Sequence, residues 1–552
     1  MSQVLQTAAA AVDPITAPEV DIGALLPILV VLGGACLGIL VEAFAPRRAR
    51  YATQVGLTLV VLLAAGALVV RGAVGDIFAV TIGSAVAVDT ASYVMWGVLL
   101  VLAVPSVLLM ADRVAEPGGA FAPQAAAQVG SSRARSATRV AAPMQTEIFP
   151  LALFAVGGMM VFPAATDLVT LFVALEVLSL PLYLLCGLAR RRRLISQEAA
   201  VKYFLLGAFT SAIFLYGLAM LYGFAGTTQF AGIAAQARAG GGNDGLLLAG
   251  ICLVLVGLLF KASVGPFHLW TPDVYQGAPT PVTAFMAACT KVAAFAAMLR
   301  VLAVALEPMV WTWQPVVAVI AAVSMIIGAV LGITQTDMKR MLAYSSVAHA
   351  GFIILGVMTV SASGASGTMF YLLTYGMATI GAFAVLTLIR RGEGEASQLS
   401  DWAGLAKRAP VLAAAMSLFL LSFAGIPLTA GFIGKLSVFT AAAQAGLGWL
   451  VVIAMVATAV TAFFYLRIVV VMYFSDPVVA TVNTPAMVGG GSAPLTGSAG
   501  LADDAGDSSP YVVAAGPLTV VVIALAVGVT LILGIYPGPV LDLLSVPLPF
   551  MS

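Results

Sequence analysis

Residues 245–268 read GLLLAGICLVLVGLLFKASVGPFH, and this stretch decides the fold. A membrane-spanning helix needs about 20 predominantly apolar residues, and the run up to Phe267 has that length. It also contains Lys261 and, shortly after it, the helix-breaking pair Gly265-Pro266, in which proline removes a backbone donor and glycine lets the chain bend. Because lipid tolerates irregular backbone only where protein or a water-filled cavity surrounds it, the stretch predicts a broken helix inside a membrane bundle.

Other apolar runs of similar length lie on both sides of this one. Together they predict an all-α polytopic membrane protein with fourteen transmembrane spans. In chain order the predicted spans are 23–44, 53–70, 92–111, 148–164, 167–189, 197–223, 245–267, 277–303, 314–334, 339–360, 366–389, 410–440, 447–474 and 511–536. Numbered in this order, the opening stretch is span 7.

The composition of the whole chain also indicates that the protein is surrounded by lipid. Of 552 residues, 61% are hydrophobic and only 9% are charged, whereas soluble domains carry roughly 25% charged residues. The net charge of +1 and the scattered basic residues exclude a nucleic-acid-binding stripe. The first twenty residues lack the basic region and small-residue cleavage site of a signal peptide, so we expect none. The chain is therefore expected to be embedded in lipid through most of its length.

A second broken helix is predicted in span 12, where residues 425–435 read GIPLTAGFIGK and end on Lys435. Spans 4–8 and spans 9–13 form two sets of five, and an odd number of helices per set gives the two sets opposite orientations in the membrane. Paired broken helices in two halves of a chain indicate an ion path between inverted repeats. The simpler alternative is two unrelated proline kinks, which are common in membrane helices.

This pattern divides the chain into four segments. We expect an N-terminal three-helix segment with a cytoplasmic loop at 1–147 and a first five-helix repeat at 148–303. A second, inverted repeat covers 314–474, and a cytoplasmic loop with the final helix covers 475–552. The loops near 112–147 and 475–510 are rich in Ala, Gly, Ser and Pro, and we interpret them as flexible surface segments.

The basic residues predict the orientation of the bundle. If the spans alternate from an N-terminus on the outer face, seventeen lysines and arginines lie in inner loops. Only Arg71, Arg238 and Arg300 then lie in outer loops. Because cytoplasmic loops carry an excess of basic residues, we expect both termini on the outer face and the two longer loops inside.

Four of the six lysines fall inside predicted spans: Lys202, Lys261, Lys291 and Lys435. A charge near the bilayer centre costs at least about 2.5 kcal/mol, so such residues face the bundle interior. Burial can lower the pKa of a lysine by several units, and the amine can then gain and lose a proton near neutral pH. Proton translocation is the function that this pattern favours.

Glu176 is the one carboxylate that depth places near mid-membrane, about 14 Å below the outer end of span 5. Lys202 lies only about 8–12 Å into span 6. A Glu176–Lys202 ion pair between consecutive spans is therefore expected. In the alternative interpretation, Lys202 extends to the inner surface and serves as an interfacial anchor.

The two histidines, His268 and His349, lie beside these features and are candidate proton relays, although a hydrogen-bonded structural role fits each equally well. The four cysteines stand singly in apolar runs, with neither metal-ligand nor redox spacing. The sequence contains none of the common nucleotide, iron–sulfur or haem motifs. We therefore expect no cofactor or metal in this chain, and energy input from a partner or an ion gradient.

Four stretches match a known pattern. Residues 167–183 read DLVTLFVALEVLSLPLY, 198–207 read EAAVKYFLLG, 260–281 read FKASVGPFHLWTPDVYQGAPTP, and 335–351 read QTDMKRMLAYSSVAHAG. These stretches, with the run through Lys435, resemble the subunit N family of NADH–quinone oxidoreductase, respiratory complex I. The resemblance covers roughly residues 20–475. The loops at 112–147 and 475–510 are longer than is usual in that family.

The resemblance implies two inverted five-helix units, each with a half-channel. It implies that Glu176 and Lys202 form a coupling pair, that Lys261 loads the proton, that Lys291 is the central relay and that Lys435 releases the proton outward. It further implies a non-redox translocase subunit in a bacterial inner membrane, beside K-like and M-like subunits and the lateral helix of an L-like subunit. NADH, FMN, iron–sulfur clusters and quinone would be bound by partner subunits.

Other classes remain open from the sequence. One is an antiporter-like subunit of a multisubunit cation/proton antiporter or of a membrane-bound hydrogenase, which would share the broken-helix lysines. Another is a stand-alone solute carrier, for which the spans lack a substrate-shaped polar cluster. The last is a scaffold bundle whose charges only hold partners together. Purification within a respiratory assembly that contains flavin and iron–sulfur centres would favour the complex I interpretation.

Overall fold

The computed structural model describes residues 19–116, 118–123, 145–392, 394–476, 509–545, 547 and 550. These residues form a bundle of α-helices with a few short strands at its ends. Twelve of the described helices are long and apolar enough to cross a membrane. The fourth and twelfth predicted spans are built from shorter apolar helices, so all fourteen predicted spans correspond to helices.

Seven helices lie among the described residues of the N-terminal part, up to Ala239. Asp89 and Asp167 accept hydrogen bonds from the first free backbone N–H groups of the third and fifth of them, which explains where these helices begin. The bounds are α1 Ile22–Phe44, α2 Arg47–Val74, α3 Thr90–Ala111, α4 Ile148–Ala164, α5 Leu168–Cys186, α6 Arg193–Ala225 and α7 Phe230–Ala239.

The rest of the described chain forms twelve more helices, two of which begin at Pro410 and Pro517, where proline's missing N–H costs nothing. The bounds are α8 Asp244–Lys261, α9 Trp270–Gly277, α10 Thr280–Ala305, α11 Val310–Thr334, α12 Met338–Val357, α13 Ala362–Thr387, α14 Leu405–Arg408, α15 Pro410–Ala424, α16 Ala430–Gln444, α17 Gly448–Phe474, α18 Pro517–Ile535 and α19 Gly538–Leu543.

Two small antiparallel sheets lie outside the helices. In the first, β1 Ala79–Thr81 pairs with β2 Val86–Val88 in the connection between α2 and α3. In the second, the strand order is β4-β3-β5, with β3 Ile389–Arg391 between β4 Gly394–Glu395 and β5 Tyr511–Val512. The second sheet joins the loop after α13 to the segment that leads into α18.

The structure confirms the two predicted breaks. In span 7, predicted at 245–267, the helix α8 ends at Lys261, and the next helix, α9, begins only at Trp270, beyond the predicted end of the span. Span 12 consists of α15 and α16, which are separated by residues 425–429. Both connections contain left-handed backbone, with a φ of 60° at Ser263 and 79° at Gly425.

The helices differ in how much of their surface is covered. α10 is buried along nearly its whole length, and α12 and α13 are covered almost as completely. In contrast, α2, α6 and α17 bury only about a third of their apolar windows and present the rest outward. The central position of α10 brings Lys291 into the middle of the bundle.

The flexible-loop interpretation of 112–147 is wrong for the residues next to α3. Glu116 and Phe121 are buried, and Phe121 forms an antiparallel bridge with Ala189. Asp112 accepts hydrogen bonds from the Thr519 N–H at 3.2 Å and from its hydroxyl at 2.6 Å, and so holds the start of α18. Residues 124–144 and 477–508, which make up most of the two loops, lie outside the described residues.

Arg300 was expected in an outer loop, and this prediction is wrong. Arg300 lies within α10, fully buried, and its guanidinium donates to both carboxylate oxygens of Asp89 at 3.0 and 2.7 Å. It also donates to the Ser92 hydroxyl at 2.9 Å and to the carbonyl of Pro163 at 2.5 Å. The sequence could not reveal this, since the carboxylate that neutralises the charge belongs to the cap of α3.

Candidate functional site

Three lysines lie in the interior of the bundle. The exposed fractions are 3% for Lys261, 1% for Lys291 and 4% for Lys435. Lys261 is the last residue of α8, at the first break, and Lys435 lies in α16, just after the second break. Lys291 lies between them in α10. Because an unpaired cation in this environment is costly, the partners of each ammonium group are informative.

Lys261 is held by side-chain hydroxyls. Its Nζ donates to Ser179 Oγ at 2.8 Å and to the Tyr203 hydroxyl at 3.2 Å. Ser179 belongs to α5 and lies one helical turn after Glu176. The hydroxyl that binds the lysine of the first break is therefore one helical turn away from Glu176.

Lys291 is held by backbone carbonyls. Its Nζ donates to Ala262 O at 2.9 Å and to Ser346 O at 3.2 Å. Ala262 directly follows Lys261, and its carbonyl is free because α8 ends there. The helix break thus supplies an acceptor for the central lysine and joins the two lysines through one peptide segment.

A π-helical turn, Met286–Thr290, directly precedes Lys291, and a second one follows at Val301–Ala305. Single π-helical turns are rare and occur frequently at functional sites, because the extra residue shifts the register of the side chains that follow. Sequence reasoning missed both turns, since no residue pattern in 280–305 predicts them.

Lys435 is also held by carbonyls that a break has freed. Its Nζ donates to Phe423 O at 2.9 Å and to Ala424 O at 3.3 Å, the last two residues of α15. The Nζ also lies 4.8 Å from the centre of the Phe352 ring, within the range of a cation–π interaction. A side chain at Gly425 would lie 3.0 Å from Lys435 Cδ, which explains glycine at this position.

His349 lies in α12, one turn after Ser346, whose carbonyl binds Lys291, and its ring also packs against Phe423, whose carbonyl binds Lys435. Its Nδ1 is 2.8 Å from the Tyr371 hydroxyl, and its Nε2 is 3.2 Å from the Tyr465 hydroxyl. A buried histidine between two hydroxyls can pass a proton through either ring nitrogen. The geometry is compatible with the predicted relay, which stays a prediction.

His268 lies in the first break and is buried beside the ring of Tyr344. Its Nδ1 has no hydrogen-bond partner among the residues that the structure describes. No contact joins it to Lys261 or Lys291 within those residues. The relay function of His268 also stays a prediction.

The predicted Glu176–Lys202 pair is wrong in this structure. Lys202 is 42% exposed, and its Nζ contacts Glu198 at 2.6 Å and Asp273 at 2.9 Å. Glu176 is half-buried, and its Oε1 lacks a hydrogen-bond partner among the described residues. The direction in which each side chain points around its helix was not available from the sequence.

Asp273 is a charged residue that sequence reasoning missed. It lies in α9, and its two carboxylate oxygens bind Lys202 at 2.9 Å and Arg340 at 2.7 Å. Arg340 also donates to Gln276 Oε1 at 3.1 Å. This network connects α6, α9 and α12, and therefore joins the two predicted repeats. Asp273 lies within residues 260–281, which match the family pattern, but Lys202 and Arg340, the cations that bind it, are distant in sequence.

Within the described residues, no cluster of three His, Cys, Asp or Glu side chains could hold a metal ion. The polar groups around the three lysines are hydroxyls, the His349 imidazole and backbone carbonyls. Amines, imidazoles and hydroxyls can accept and pass a proton, whereas backbone carbonyls only accept hydrogen bonds. The three lysines and His349 therefore form a row of protonatable groups across the bundle.

A long helix bundle with two broken helices, each carrying a buried lysine, defines an antiporter-like membrane protein. Comparison with known families agrees. Residues 165–461, more than half of the chain, match a family described as NADH:quinone oxidoreductase/Mrp antiporter, transmembrane. The chain belongs to this family.

Curated relatives are similar over nearly the whole length. The chain is 54% identical over 528 residues to NADH-quinone oxidoreductase subunit N of Saccharopolyspora erythraea, covering 95% of this chain and 97% of the relative. It is 49% identical over 549 residues to the subunit of the same name from Mycobacterium tuberculosis, with coverages of 96% and 98%.

Solved structures show the same fold. A chain of respiratory complex I from Thermus thermophilus, determined with bound Aureothin, superposes with a TM-score of 0.71 and 32% identity and covers 94% of this chain and 99% of its own. A chain of the Mrp complex from Dietzia gives a TM-score of 0.75 at 24% identity, with coverages of 95% and 96%. The likeness to the Mrp chain concerns the fold alone.

Proposed function

We propose that this chain is a membrane-arm subunit of NADH–quinone oxidoreductase that translocates protons without taking part in the redox chemistry. The observation that carries the proposal is the row of buried lysines, two of them beside helix breaks, whose amines bind hydroxyls and freed carbonyls. The relatives at about 50% identity carry the name of subunit N of this enzyme, which supports the coupling to NADH oxidation and quinone reduction elsewhere.

In this mechanism each lysine holds the proton in turn. Lys261 takes up a proton as its ammonium form, bound by Ser179 and Tyr203. Lys291 receives the proton next, and the Ala262 carbonyl, which itself carries no proton, holds the Lys291 amine beside the segment that follows Lys261. Lys435 accepts it across the His349 region and releases it toward the outer face. After each step the donor amine is neutral, so the positive charge moves along the row without leaving a second buried cation.

Glu176 sets the charge at the start of the row. When Glu176 is ionised, it favours the ammonium form of Lys261. A change in the protonation of Glu176 therefore changes the tendency of Lys261 to release its proton. Lys202 and Asp273 act further out, on the charged network that joins α6, α9 and α12. This division replaces the direct Glu176–Lys202 pair that was expected from depth.

The partners and the location follow from the proposed function. Neighbours of the K and M types and the lateral helix of an L-type subunit would contact this chain in the membrane. NADH, FMN, iron–sulfur clusters and quinone would be bound by other subunits, and this chain would bind only protons. We propose a bacterial inner membrane and two repeats, 148–303 and 314–474, in inverted orientation. The long spans with outward-facing apolar residues support a lipid location.

The orientation can be tested with cysteine labelling. In a background without Cys36 and Cys252, the variants Arg135→Cys and Gly490→Cys introduce one thiol into each long loop. We expect a membrane-impermeant maleimide to label both thiols only from the cytoplasmic side, because the basic loops remain inside. Labelling from the outer face alone would reverse the orientation.

The translocation itself is tested by Lys291→Ala in the purified, fully assembled enzyme. We expect NADH-driven proton pumping in proteoliposomes to fall sharply, together with coupled quinone reduction, because alanine has no proton to pass. The flavin and iron–sulfur centres should remain reducible by NADH, since they lie in other subunits. Normal pumping by an intact Lys291→Ala enzyme would contradict the proposal.

A further inference from the structure

The helix α10 contains one regular segment between two π-helical turns. The turn Met286–Thr290 precedes this segment, the turn Val301–Ala305 follows it, and the ten residues Lys291–Arg300 between them form a regular α-helix. Lys291 is therefore the first residue of the segment and Arg300 is the last. At about 1.5 Å and about 100° per residue, the two side chains lie roughly 13 Å apart along the axis and on opposite sides of the helix.

Arg300 is held by α3, α4 and the ring of Phe550. Its Nη1 and Nη2 donate to the two carboxylate oxygens of Asp89 at 3.0 and 2.7 Å, and Nη2 also donates to Ser92 Oγ at 2.9 Å. Its Nε donates to the carbonyl of Pro163, near the end of α4, and the Phe550 ring centre lies 5.3 Å from Cζ. Because a bidentate pair fixes the orientation of the guanidinium group as well as its distance, the end of the regular segment is held in one position.

Asp89 is itself fixed at the beginning of α3. Its Oδ1 accepts a hydrogen bond from the Ser92 N–H at 2.8 Å, and the Ser92 hydroxyl donates to Ala87 O in β2 at 2.8 Å. Asp89 and Arg300 are both buried, and a buried charge that loses its partner is strongly unfavourable. The ion pair therefore ties α10 firmly to the N-terminal three-helix segment.

The start of α10 is held differently. The Thr280 hydroxyl donates to Glu395 at 2.6 Å, and a small cavity lined by Glu116 and Glu395, with room for about one water molecule, lies beside it. The π-helical turn Met286–Thr290 separates this start from Lys291, and such a turn shifts the register of the side chains that follow it. The direction of Lys291 is therefore fixed mainly by the regular segment on its other side.

The acceptors of the Lys291 amine lie on two other helices. Ala262 O, at the end of α8, is 2.9 Å from Nζ, and Ser346 O, in α12, is 3.2 Å from it. Hydrogen bonds weaken steeply beyond such distances, so a small rotation or shift of α10 would separate the amine from at least one carbonyl. The contacts of Lys291 therefore depend on how α10 is anchored.

We propose that Arg300, through its ion pair with Asp89, is a positioning residue that fixes the rotation and axial position of α10 and so keeps the Lys291 amine on its two carbonyls. The inference rests on the proposed function, in which Lys291 is the central carrier. Arg300 itself carries no proton, since arginine does not deprotonate in proteins. It acts from the opposite side of α10, through ten residues of regular helix.

The test uses the double variant Arg300→Met with Asp89→Asn in the purified, assembled enzyme. Both charges are removed together, so no unpaired charge stays buried, and asparagine can still accept the hydrogen bond that begins α3. The matched control is Arg238→Gln with Glu307→Gln, which removes an ion pair of 2.7 Å that is exposed and lies just beyond the end of α10. NADH-driven pumping in proteoliposomes is measured for each variant as a function of pH.

We expect the double variant to lower pumping at least about tenfold, because misplacement of a reacting group by about 1 Å is costly. The pH at which pumping falls by half on the alkaline side should move down by about half a unit or more, since the two carbonyls no longer favour the ammonium form of Lys291. The control should stay within about twofold of the wild type, with an unshifted pH profile, because exposed ion pairs contribute little.

Arg300→Lys is the second variant, because it keeps the charge beside Asp89 and lets the enzyme assemble, but an ammonium group cannot form the bidentate pair. A shift of its pH profile in the same direction supports the positioning role. Reduced pumping with an unshifted profile means that the pair only stabilises the fold, and this overturns the inference, as do normal pumping or a shift to higher pH. Normal pumping by Lys291→Ala instead contradicts the proposed function itself.

Discussion

The two helix breaks have similar sequences, yet they hold their lysines differently. At the first break, Lys261 binds two side-chain hydroxyls, and Ser179, which carries one of them, lies one helical turn from Glu176. At the second, Lys435 binds two backbone carbonyls beside the Phe352 ring, and no carboxylate forms a hydrogen bond or ion pair with it among the described residues. A break that contains glycine and proline therefore provides a buried position for a lysine, while the neighbouring helices determine which groups bind its amine.

This difference indicates a division of labour. Hydroxyl groups can rotate and serve as either donor or acceptor, and a nearby carboxylate can change its protonation, so the first lysine responds to events around it. Backbone carbonyls can only accept, and they are fixed by the helix that ends with them. In the proposed mechanism, the second lysine therefore takes its proton from Lys291 and is held by these two carbonyls while it is protonated.

The largest expected effect comes from removing the lysine at each break. Lys261→Ala and Lys435→Ala should each lower NADH-driven pumping in proteoliposomes to about the level of Lys291→Ala, because a row of carriers fails at any missing member. The variants Lys261→Arg and Lys435→Arg should also fail to pump, since arginine does not deprotonate in proteins. Wild-type pumping by either alanine variant would remove that lysine from the row.

A second prediction separates the two breaks by their carboxylate. Glu176→Gln should couple with Lys261→Arg but not with Lys435→Arg in double-mutant cycles on quinone-reduction rates. For contacting groups we expect a coupling energy of about 1 kcal/mol, or roughly fivefold, and additivity within about 0.5 kcal/mol for the distant pair. Equal coupling energies with Lys261→Arg and Lys435→Arg would show that the effect of Glu176 is not specific to the lysine of the first break.

A smaller effect is expected in the charged network outside the first break. Lys202→Met and Asp273→Asn should be non-additive by about 0.2–1 kcal/mol, because the two side chains form a partly exposed ion pair. Lys202→Met and Glu176→Gln should be additive, since the structure shows no ion pair between them. Quinone-reduction rates of the single and double variants test both pairs. Non-additivity of Lys202→Met with Glu176→Gln would support the Glu176–Lys202 contact that was predicted from the sequence.

The smallest effect concerns the backbone of the breaks. Gly425→Ala should lower the free energy of unfolding by about 1–2 kcal/mol, because a left-handed conformation disfavours a Cβ, and that Cβ would also approach Lys435. Ser263→Gly, at the left-handed position of the first break, should change stability by less than about 1 kcal/mol. Thermal unfolding of the purified enzymes measures both, and a neutral Gly425→Ala variant would make the glycine dispensable.

Local composition made much of the fold predictable. Each spanning run contains its own signal, since about 20 apolar residues can satisfy all backbone hydrogen bonds only as a helix in lipid. The breaks at Gly265-Pro266 and Gly425 are equally local, because they depend on the backbone of the residues themselves. Of the four lysines predicted to face the interior, Lys261, Lys291 and Lys435 are buried, because the cost of a charge in the membrane does not depend on which neighbours it has, whereas Lys202 is 42% exposed.

The predictions that proved wrong all concern partners distant in the chain. Lys202 pairs with Asp273 and not with Glu176, and Arg300 is buried because Asp89, far away in sequence, neutralises it. The segment around Phe121 is ordered because it packs against the residues that follow α5. Depth along a helix can be counted from the sequence, but the direction of a side chain around the helix depends on how the helices pack.

The sequence alone thus predicted that the protein is embedded in lipid, where its helices lie, where two of them break, and which lysines carry the proposed function. The packed bundle was needed to show what each lysine binds, that the Ser179 hydroxyl bound by Lys261 lies one helical turn from Glu176, and that Glu116 and Glu395 line one cavity at the start of α10. The physical reason is that hydrophobic length and backbone strain are properties of a short segment. Hydrogen bonds and ion pairs instead join groups that only the packed bundle brings within about 3 Å of each other.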